Sequence, residues 1–292
     1  MFDTGLDDTG LSQPITLTAL EFDVLWEHLD LGDMPLVLKV PSPGRTNSER
    51  AELVDHAWQT LQAKDLGRQV DLDPRLTGML RLVARPQREL DGRLWLGRSV
   101  RLLAAADGET GVLAVQETDQ LTLRYADGLG LPRHTLSVLP PASAGPGHSV
   151  TLPSKEFEAA AREATAPKDF EAALRSRGLR DIDAEALRKM IGDVDRQGQF
   201  GGAARDKWGR RVRTPRVISF FDTAAGRYLQ VRKESPGGEA WTTISPADNK
   251  RLLHHLTELH ADDVTQPPSC VGGGGGAPPT HPPPHPPTHP GG

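Results

Sequence analysis

The sequence predicts an α+β protein that is built from two similar halves. Apolar residues at helical spacing alternate with β-branched stretches along residues 12–264, which is typical of a mixed helix and sheet fold. A Pro/Gly-rich segment at residues 140–147 (PPASAGPG) lies near the midpoint, and the strand-then-helix pattern that opens the chain starts again after it. Each half alone would expose an apolar sheet face, so we expect the halves to share one sheet or core.

The first half opens with a strand and an amphipathic helix. Residues 14–18 (PITLT) alternate and are β-branched, which predicts a strand. Thr18 is expected to cap the helix, because Glu21 three positions later completes a capping box. The apolar residues of the helix share one stripe: Phe22, Leu25, Trp26 and Leu29. A short second strand is expected at residues 35–40 (PLVLKV), ended by Pro41.

Two helices and four strands are expected to complete the first half. Asn47 or Ser48 can cap a helix that continues to about residue 64. A second helix is expected from the Asp73-Pro74 pair to Pro86, since proline is favoured in the first turn of a helix. The strands are expected at residues 94–106, 111–116, 121–125 and 134–139. The first two flank residues 107–110 (DGET), a good hairpin turn.

The second half is expected to begin with a strand at residues 149–152 and a helix that Ser154 caps. The later elements are helices at 170–176 and 184–194, strands at 215–222, 226–233 and 240–244, and a Leu-rich helix after residues 245–248. Residues 198–206 (GQFGGAARD) predict a flexible glycine-rich loop.

An internal repeat underlies the division into halves. Residues 15–22 align with residues 150–157, and five of the eight positions are identical or exchange Ile for Val. The hairpin turn at 107–111 also matches the one at 222–226. A second match is the shared spacing of two apolar sets: Leu76, Met79, Leu80 and Val83, and Leu187, Met190, Ile191 and Val194. Two interpretations remain open: a duplicated unit with pseudo-two-fold symmetry, or the similarity that any two amphipathic α+β segments share.

The composition limits the class of protein. A net charge of −5, from 34 basic and 39 acidic residues, argues against a general nucleic-acid binder. The one cysteine, Cys270, excludes an intramolecular disulfide. The acidic start of the chain has no apolar stretch typical of a signal peptide, and no run approaches 18 apolar residues, so we expect a cytoplasmic location. Arg greatly outnumbers Lys, which is typical of GC-rich genomes such as those of actinobacteria.

Motifs that would indicate catalysis or a cofactor are missing from the sequence. Residues 198–202 (GQFGG) do not fit a dinucleotide fingerprint, and no P-loop or serine nucleophile elbow is present. The histidines near the end of the last helix lack the i, i+4 spacing of a zinc pair: His254, His255 and His260. Three more recur every four residues in the tail at 265–292, which we expect to be disordered: His281, His285 and His289. We therefore expect no catalytic residue, cofactor or metal.

A basic cluster lies around Trp208 in the second half. Its members are Arg205, Lys207, Arg210, Arg211, Arg213 and Arg216. One hypothesis is a binding patch for nucleic acid or an acidic partner. The other is an exposed loop whose charges keep a sheet edge soluble.

Four segments of the sequence are distinctive together: residues 17–29 (LTALEFDVLWEHL), 82–92 (LVARPQRELDG), 222–229 (DTAAGRYL) and 241–248 (WTTISPAD), the last followed by the Leu-rich helix. They resemble segments of the EspG family, the chaperones of actinobacterial type VII (ESX) secretion. Their order and spacing extend the resemblance over roughly residues 12–262.

The resemblance implies a quasi-two-fold α+β fold with a central antiparallel sheet and helical bundles at its sides. It makes residues 12–140 and 148–264 the two halves of one domain. It implies a cytosolic chaperone, with no catalysis or cofactor, that binds PE–PPE dimers at the tip of the PPE helices, keeps them soluble and delivers them for secretion. We expect a monomer or a weak dimer.

We expect the partner surface on the second half, at the 215–233 hairpin and the last helix. The candidate contact residues are Val217, Ser219, Phe221, Tyr228, Gln230, Leu252 and Leu256. Both faces of strand 215–222 are partly apolar, so a partner covers one face or both are simply core. A nucleic-acid or regulatory module that uses Arg205–Arg216 is the alternative function, and an enzyme with perturbed carboxylates is a third.

Overall fold

The computed structural model describes residues 13–235 and 237–262. Its elements in chain order are β1 (Ile15–Thr18), α1 (Ala19–His28), α2 (Asn47–Ala63), β2 (Gly67–Arg68), β3 (Asp71–Leu72), α3 (Pro74–Ala84), β4 (Arg88–Trp95), β5 (Ser99–Asp107), β6 (Thr110–Glu117), β7 (Gln120–Asp127), α4 (Leu131–Leu136), β8 (Val150–Pro153), α5 (Ser154–Glu163), α6 (Pro167–Ser176), α7 (Asp181–Met190), β9 (Val194–Arg205), β10 (Arg211–Thr223), β11 (Gly226–Glu234), β12 (Ala240–Pro246) and α8 (Asn249–Ala261). The expected tail and Cys270 lie outside the described residues.

In the described part of the chain, ten strands form one antiparallel sheet. This confirms the predicted α+β class with a central antiparallel sheet. The strand order is β1-β7-β6-β5-β4-β9-β10-β11-β12-β8, and β2 with β3 forms a small separate pair. The halves meet at the centre, where β4 runs beside β9 from Arg88 opposite Ala204 to Trp95 opposite Gln197. The two halves therefore share a single sheet.

Three groups of helices cover the sheet. Helices α1 to α3 pack on one face of the first-half strands, where Leu103 and Leu123 are buried. Helices α5 to α7 pack on the same face of the second half, over Phe221 and Tyr228. Helices α4 and α8 lie on the opposite face at the centre of the sheet, where Phe220 is buried.

The predicted capping box is present at α1. The Glu21 amide donates to Thr18 Oγ1 at 3.1 Å, and the Thr18 amide donates to Glu21 Oε2 at 2.7 Å. At α2 the cap is Thr46 rather than Asn47 or Ser48, because Glu49 completes a second capping box with it. Asp73 caps α3, which begins at Pro74 as predicted.

The strand predicted at residues 35–40 is wrong. The segment is a turn in which the Leu38 amide donates to the Pro35 carbonyl at 2.9 Å. Val37 and Leu38 are both buried in the first-half core. Neighbouring residues of a strand point to opposite faces, so a strand would have exposed one of them.

The strand predicted at residues 134–139 is also wrong, because this region contains α4. Leu131, Thr135 and Leu139 are buried at intervals of four residues, a helical period, and Pro132 occupies the first turn. The predicted strand at 94–106 is two strands, β4 and β5, since the chain turns where the Leu96 amide donates to the Arg98 carbonyl at 2.9 Å.

The glycine-rich loop predicted at residues 198–206 is instead β9, at the centre of the sheet. Its glycines allow close packing. A Cβ on Gly198 would lie 2.5 Å from Leu94 Cδ2 and 2.9 Å from Phe220 Cε1. Glycine is used in a strand where neighbours approach the backbone closely. The glycines of β9 therefore indicate close packing rather than flexibility.

Candidate functional site

A strip of the sheet lies open between the two outer groups of helices. Among the described helices, α8 packs against β4, β9 and β10 and α4 packs against β4, and both lie on the opposite face. On the other face Arg93, Trp95, Gln199 and Val217 are exposed. We call this surface of β5, β4, β9, β10 and β11 the open face.

Strand register aligns polar side chains in a row across the open face. The row begins with Gln116, which is buried on β6 beside the open face, and continues across the face with one residue from each of its five strands: Arg101, Arg93, Gln199, Ser219 and Gln230. Directly opposed residues on one sheet face have neighbouring side chains, so these groups form a continuous polar band. Hydrogen-bond donors and acceptors therefore line the middle of the face.

Apolar side chains flank this band. Trp95 lies on one side of it with 51% of its surface exposed, and Val217 lies on the other side with 39% exposed. Leu36 is 77% exposed, and its carbonyl accepts a hydrogen bond from Arg93 Nη2 at 3.3 Å. The turn at residues 35–40 therefore forms one edge of the open face.

Most charged groups on the open face are paired. Arg213 Nη1 donates to Asp91 Oδ2 at 2.7 Å, and Arg211 Nε donates to Glu89 Oε1 at 2.9 Å. At the far side Arg232, on β11, donates to Glu158 of α5 at 3.0 Å. These ion pairs neutralise the charged side chains at the ends of the open face. The Arg232–Glu158 pair also joins α5 to the edge of the face.

The predicted contact residues fall in three places. Val217, Ser219 and Gln230 lie together on the open face. Phe221 and Tyr228 lie on the same sheet face but are buried beneath α5 to α7, where their rings stack 5.4 Å apart. The other two are fully buried on α8 behind the sheet: Leu252 and Leu256.

The basic cluster is the end of β9, the start of β10 and the turn that joins them, and its arginines bind groups of this chain. Arg205 donates to the carbonyls of Pro86 and Gly209. The remaining ion pairs are Arg210 with Asp206, Arg211 with Glu89, Arg213 with Asp91, and Arg216 with Glu258 and Asp262. Lys207 stacks on Trp208, with Nζ 4.4 Å from the ring centroid. Neutralised arginines contribute little to binding a phosphate backbone.

Sequence reasoning missed Arg93, Trp95 and Arg101 as site residues. The signal was the alternation in residues 88–95 (RELDGRLW), where every second side chain is charged or aromatic. Such a period predicts one face without core contacts. The predicted strand begins only at residue 94, so most of this alternation lies outside it.

Features of a small-molecule or metal site are few in the part of the chain that the structure describes. No group of three His, Cys, Asp or Glu residues is arranged to hold a metal there. The His254 and His255 rings both approach Glu258, and burial of His255 lowers its pKa. None of the described helices is both long enough and apolar enough to cross a bilayer.

The fold and the open face together define an α+β protein with a wide surface of mixed polarity, suited to another macromolecule. The chain belongs to the EspG family, whose model matches residues 18–258.

The chain is also similar to two known proteins of this type. The chain is 26% identical over 247 residues to the ESX-1 secretion-associated protein EspG1 of Mycobacterium tuberculosis, covering 81% of this chain and 82% of that protein. It also resembles the M. tuberculosis type VII secretion system chaperone EspG5, solved in complex with a PE25–PPE41 dimer. That match has a TM-score of 0.65 at 16% identity and covers 85% of this chain and 95% of EspG5.

Proposed function

We propose that this protein is a chaperone of type VII secretion that binds a PE–PPE-type helical dimer in the cytoplasm. Its family membership supports this, as does its resemblance to EspG5, a chaperone solved with such a dimer bound. A helical substrate with an apolar tip aggregates unless that tip is covered. Reversible covering requires no chemical step, so the proposal assigns the protein no catalytic role.

The open face is the proposed docking surface. The observation that supports this proposal is that the strip of sheet from β4 to β11 lies uncovered between two groups of helices. From β4 to β11 there are three strand spacings, about 14 Å at roughly 4.8 Å each. An α-helix with side chains is about 10 Å across, so the strip accommodates a helical tip.

Within this proposal the predicted residues take different roles. Val217, Ser219 and Gln230 contact the partner directly, joined by Trp95. The buried residues support the surface: Phe221 and Tyr228 anchor the wall formed by α5 to α7, and Leu252 and Leu256 hold α8 against the back of the sheet.

We also propose that the two halves are a duplicated unit whose helical groups act as bundles beside the docking surface. The sheet order supports this, since β1-β7-β6-β5-β4 in the first half corresponds to β8-β12-β11-β10-β9 in the second. In each half three helices precede the four-strand meander and one follows it. The halves at 12–140 and 148–264 then form one domain, active as a monomer or weak dimer.

Co-expression tests the function. The protein should co-purify with a PE–PPE pair encoded in the same gene cluster, and the complex should elute as one species in size-exclusion chromatography. Each substrate expressed without the chaperone should be less soluble. Failure to co-purify with every candidate pair, under conditions where EspG5 retains PE25–PPE41, would reject the proposal.

A further inference from the structure

Two arginines on the open face lie directly opposite each other. Arg93 on β4 pairs in register with Arg101 on β5. Among the described residues each guanidinium makes one hydrogen bond, and both donate to carbonyls of the turn at residues 35–40: Arg93 Nη2 donates to the Leu36 carbonyl at 3.3 Å, and Arg101 Nη1 donates to the Lys39 carbonyl at 3.1 Å. A guanidinium has five N–H donors, so most of their capacity is unused.

The absence of a counter-charge distinguishes this pair from its neighbours. Elsewhere on the open face Arg211, Arg213 and Arg232 each bind a carboxylate. Within residues 13–235 and 237–262, no carboxylate bonds to Arg93 or Arg101. Like charges directly opposite in a sheet destabilise it, so the free protein bears a cost at this point.

The surroundings of the pair increase that cost. Arg101 is only partly exposed, and its burial, together with the charge of Arg93, lowers its pKa. Gln116, next in the row, is 3% exposed, and its Oε1 has no hydrogen-bond partner among the described residues. Lys39, whose carbonyl binds Arg101, adds an exposed cationic residue at the same edge. The polar row therefore has unsatisfied positive charge at its first-half end.

We infer that Arg93 and Arg101 form the specificity-determining subsite for a carboxylate on the tip of the helical partner. The inference rests on the proposed function and adds to it the chemistry of the partner: an Asp or Glu side chain beside apolar residues that pack on Trp95 and Leu36. A guanidinium pair binds a carboxylate with several charge-assisted hydrogen bonds. Arginine and tryptophan together are also the residue types that most often dominate binding energy.

The matched experiment compares three variants of the full chain with the wild type. Arg93→Gln and Arg101→Gln remove the charge, and Arg98→Gln is the control, because Arg98 is exposed, lies at the adjacent turn and already pairs with Glu117. Affinity for the co-purifying PE–PPE dimer is measured by calorimetry at 50 mM and at 300 mM NaCl. Losing one partner of a charge pair that stays partly hydrated at the interface should weaken binding about 10- to 100-fold, and by more at 50 mM than at 300 mM NaCl. The Arg98→Gln affinity should change less than about 3-fold.

Thermal stability separates a binding role from a structural one. Removing one of two opposed cations should leave the Tm of the free variant unchanged or raise it by about 1–3 °C, because a repulsion is relieved. A structural arginine would instead show a lower Tm together with weaker binding. A charge-reversed Arg93→Glu variant should lose binding and regain it when the partner's acidic tip residue is changed to Arg.

The outcomes distinguish this inference from the proposed function. Wild type that binds no PE–PPE dimer rejects the function itself. Wild type that binds, with Arg93→Gln and Arg101→Gln within about 3-fold of it, retains the function and overturns the arginine subsite. A loss of affinity that is equal at both salt concentrations also overturns it, since a charge pair weakens with salt.

Discussion

Arg227 and Asp222 form a buried ion pair beside the turn of the β10–β11 hairpin. Arg227 is fully buried and donates from Nε to Asp222 Oδ1 at 2.7 Å and from Nη2 to Asp222 Oδ2 at 2.9 Å. The same guanidinium donates to Asn249 Oδ1 at 2.6 Å and to the Pro140 carbonyl at 3.0 Å. One side chain thus joins the hairpin, the start of α8 and the segment that links the two halves.

Removing one partner of this pair should strongly destabilise the protein. Asp222→Asn leaves a buried guanidinium with no counter-charge, which costs about 3–5 kcal/mol. At this chain length that lowers the Tm by about 6–20 °C. Glu158→Gln is the control, because its pair with Arg232 is about half exposed and should contribute no more than about 1 kcal/mol. Equal Tm values for Asp222→Asn and Glu158→Gln would contradict a large contribution of the buried pair to stability.

Gly145 should tolerate no side chain. It lies against the ring of Tyr228, and an added Cβ would be 2.2 Å from Tyr228 Cζ. The Tyr228 hydroxyl also donates to the Pro146 carbonyl at 3.1 Å, so the ring cannot move without breaking that bond. Gly145→Ala should cost about 1–3 kcal/mol by overpacking.

Gly78→Ala is the matched control for that change. Gly78 is exposed within α3, and an added Cβ would have an ordinary contact of 3.4 Å to the Tyr125 hydroxyl. Alanine is the better helix former, so this variant should gain about 0.5–1 kcal/mol. Chemical denaturation measures the free energy of unfolding of both variants. Gly145→Ala should lower it and Gly78→Ala should raise it.

Protonation of the Glu21 carboxylate should make the protein less stable at acid pH. Burial alone would raise the pKa of its carboxyl, but hydrogen bonds from Lys64 and from the Thr18 amide outweigh burial and lower it. A lowered pKa in the folded state contributes stability above the unfolded value near 4.5, and that contribution is lost as the pH falls through the folded pKa. Glu21→Gln should be less stable than wild type at pH 7, with a difference that shrinks below about pH 4. A difference that stays constant from pH 7 to pH 3 would contradict this.

Val217→Arg should weaken binding of the proposed PE–PPE partner while leaving the fold intact. The side chain projects from the open face and is 39% exposed, so a larger charged group fits in the free protein but obstructs a docked helix. We expect affinity for the PE–PPE dimer to fall at least about 10-fold. Val70→Arg is the control, since Val70 is 94% exposed at the β2–β3 turn, away from the open face. Similar losses in both variants would place the docking surface elsewhere.

Most helices and strands were predictable from the sequence because their signals involve residues only a few positions apart. The capping box at Thr18, the proline at Pro74 and the 222–226 turn each act over a few residues, and the structure has all three. The errors arose where tertiary contacts override local preference. Gly198 is in a strand because Leu94 and Phe220 pack where its side chain would be, and no local pattern encodes those distant neighbours.

The candidate site was predictable only in part for the same reason. Alternation placed Val217 and Ser219 on one strand face, but it could not show that Phe221, two residues further, lies beneath α5 to α7. Arg93 and Arg101 became a pair only through the register of β4 and β5. Register depends on long-range pairing, which a single sequence does not reveal.

The seam between β4 and β9 also has a consequence during synthesis. The ribosome completes β4 at Trp95 and reaches β9 at Val194 about 100 residues later, which takes about 5–20 s at typical elongation rates. Throughout that interval the nascent first half carries an eight-residue strand with one unpaired edge. Two chains emerging from neighbouring ribosomes can pair through these edges and exchange halves, so the unpaired edge of β4 makes domain swapping a hazard of synthesis.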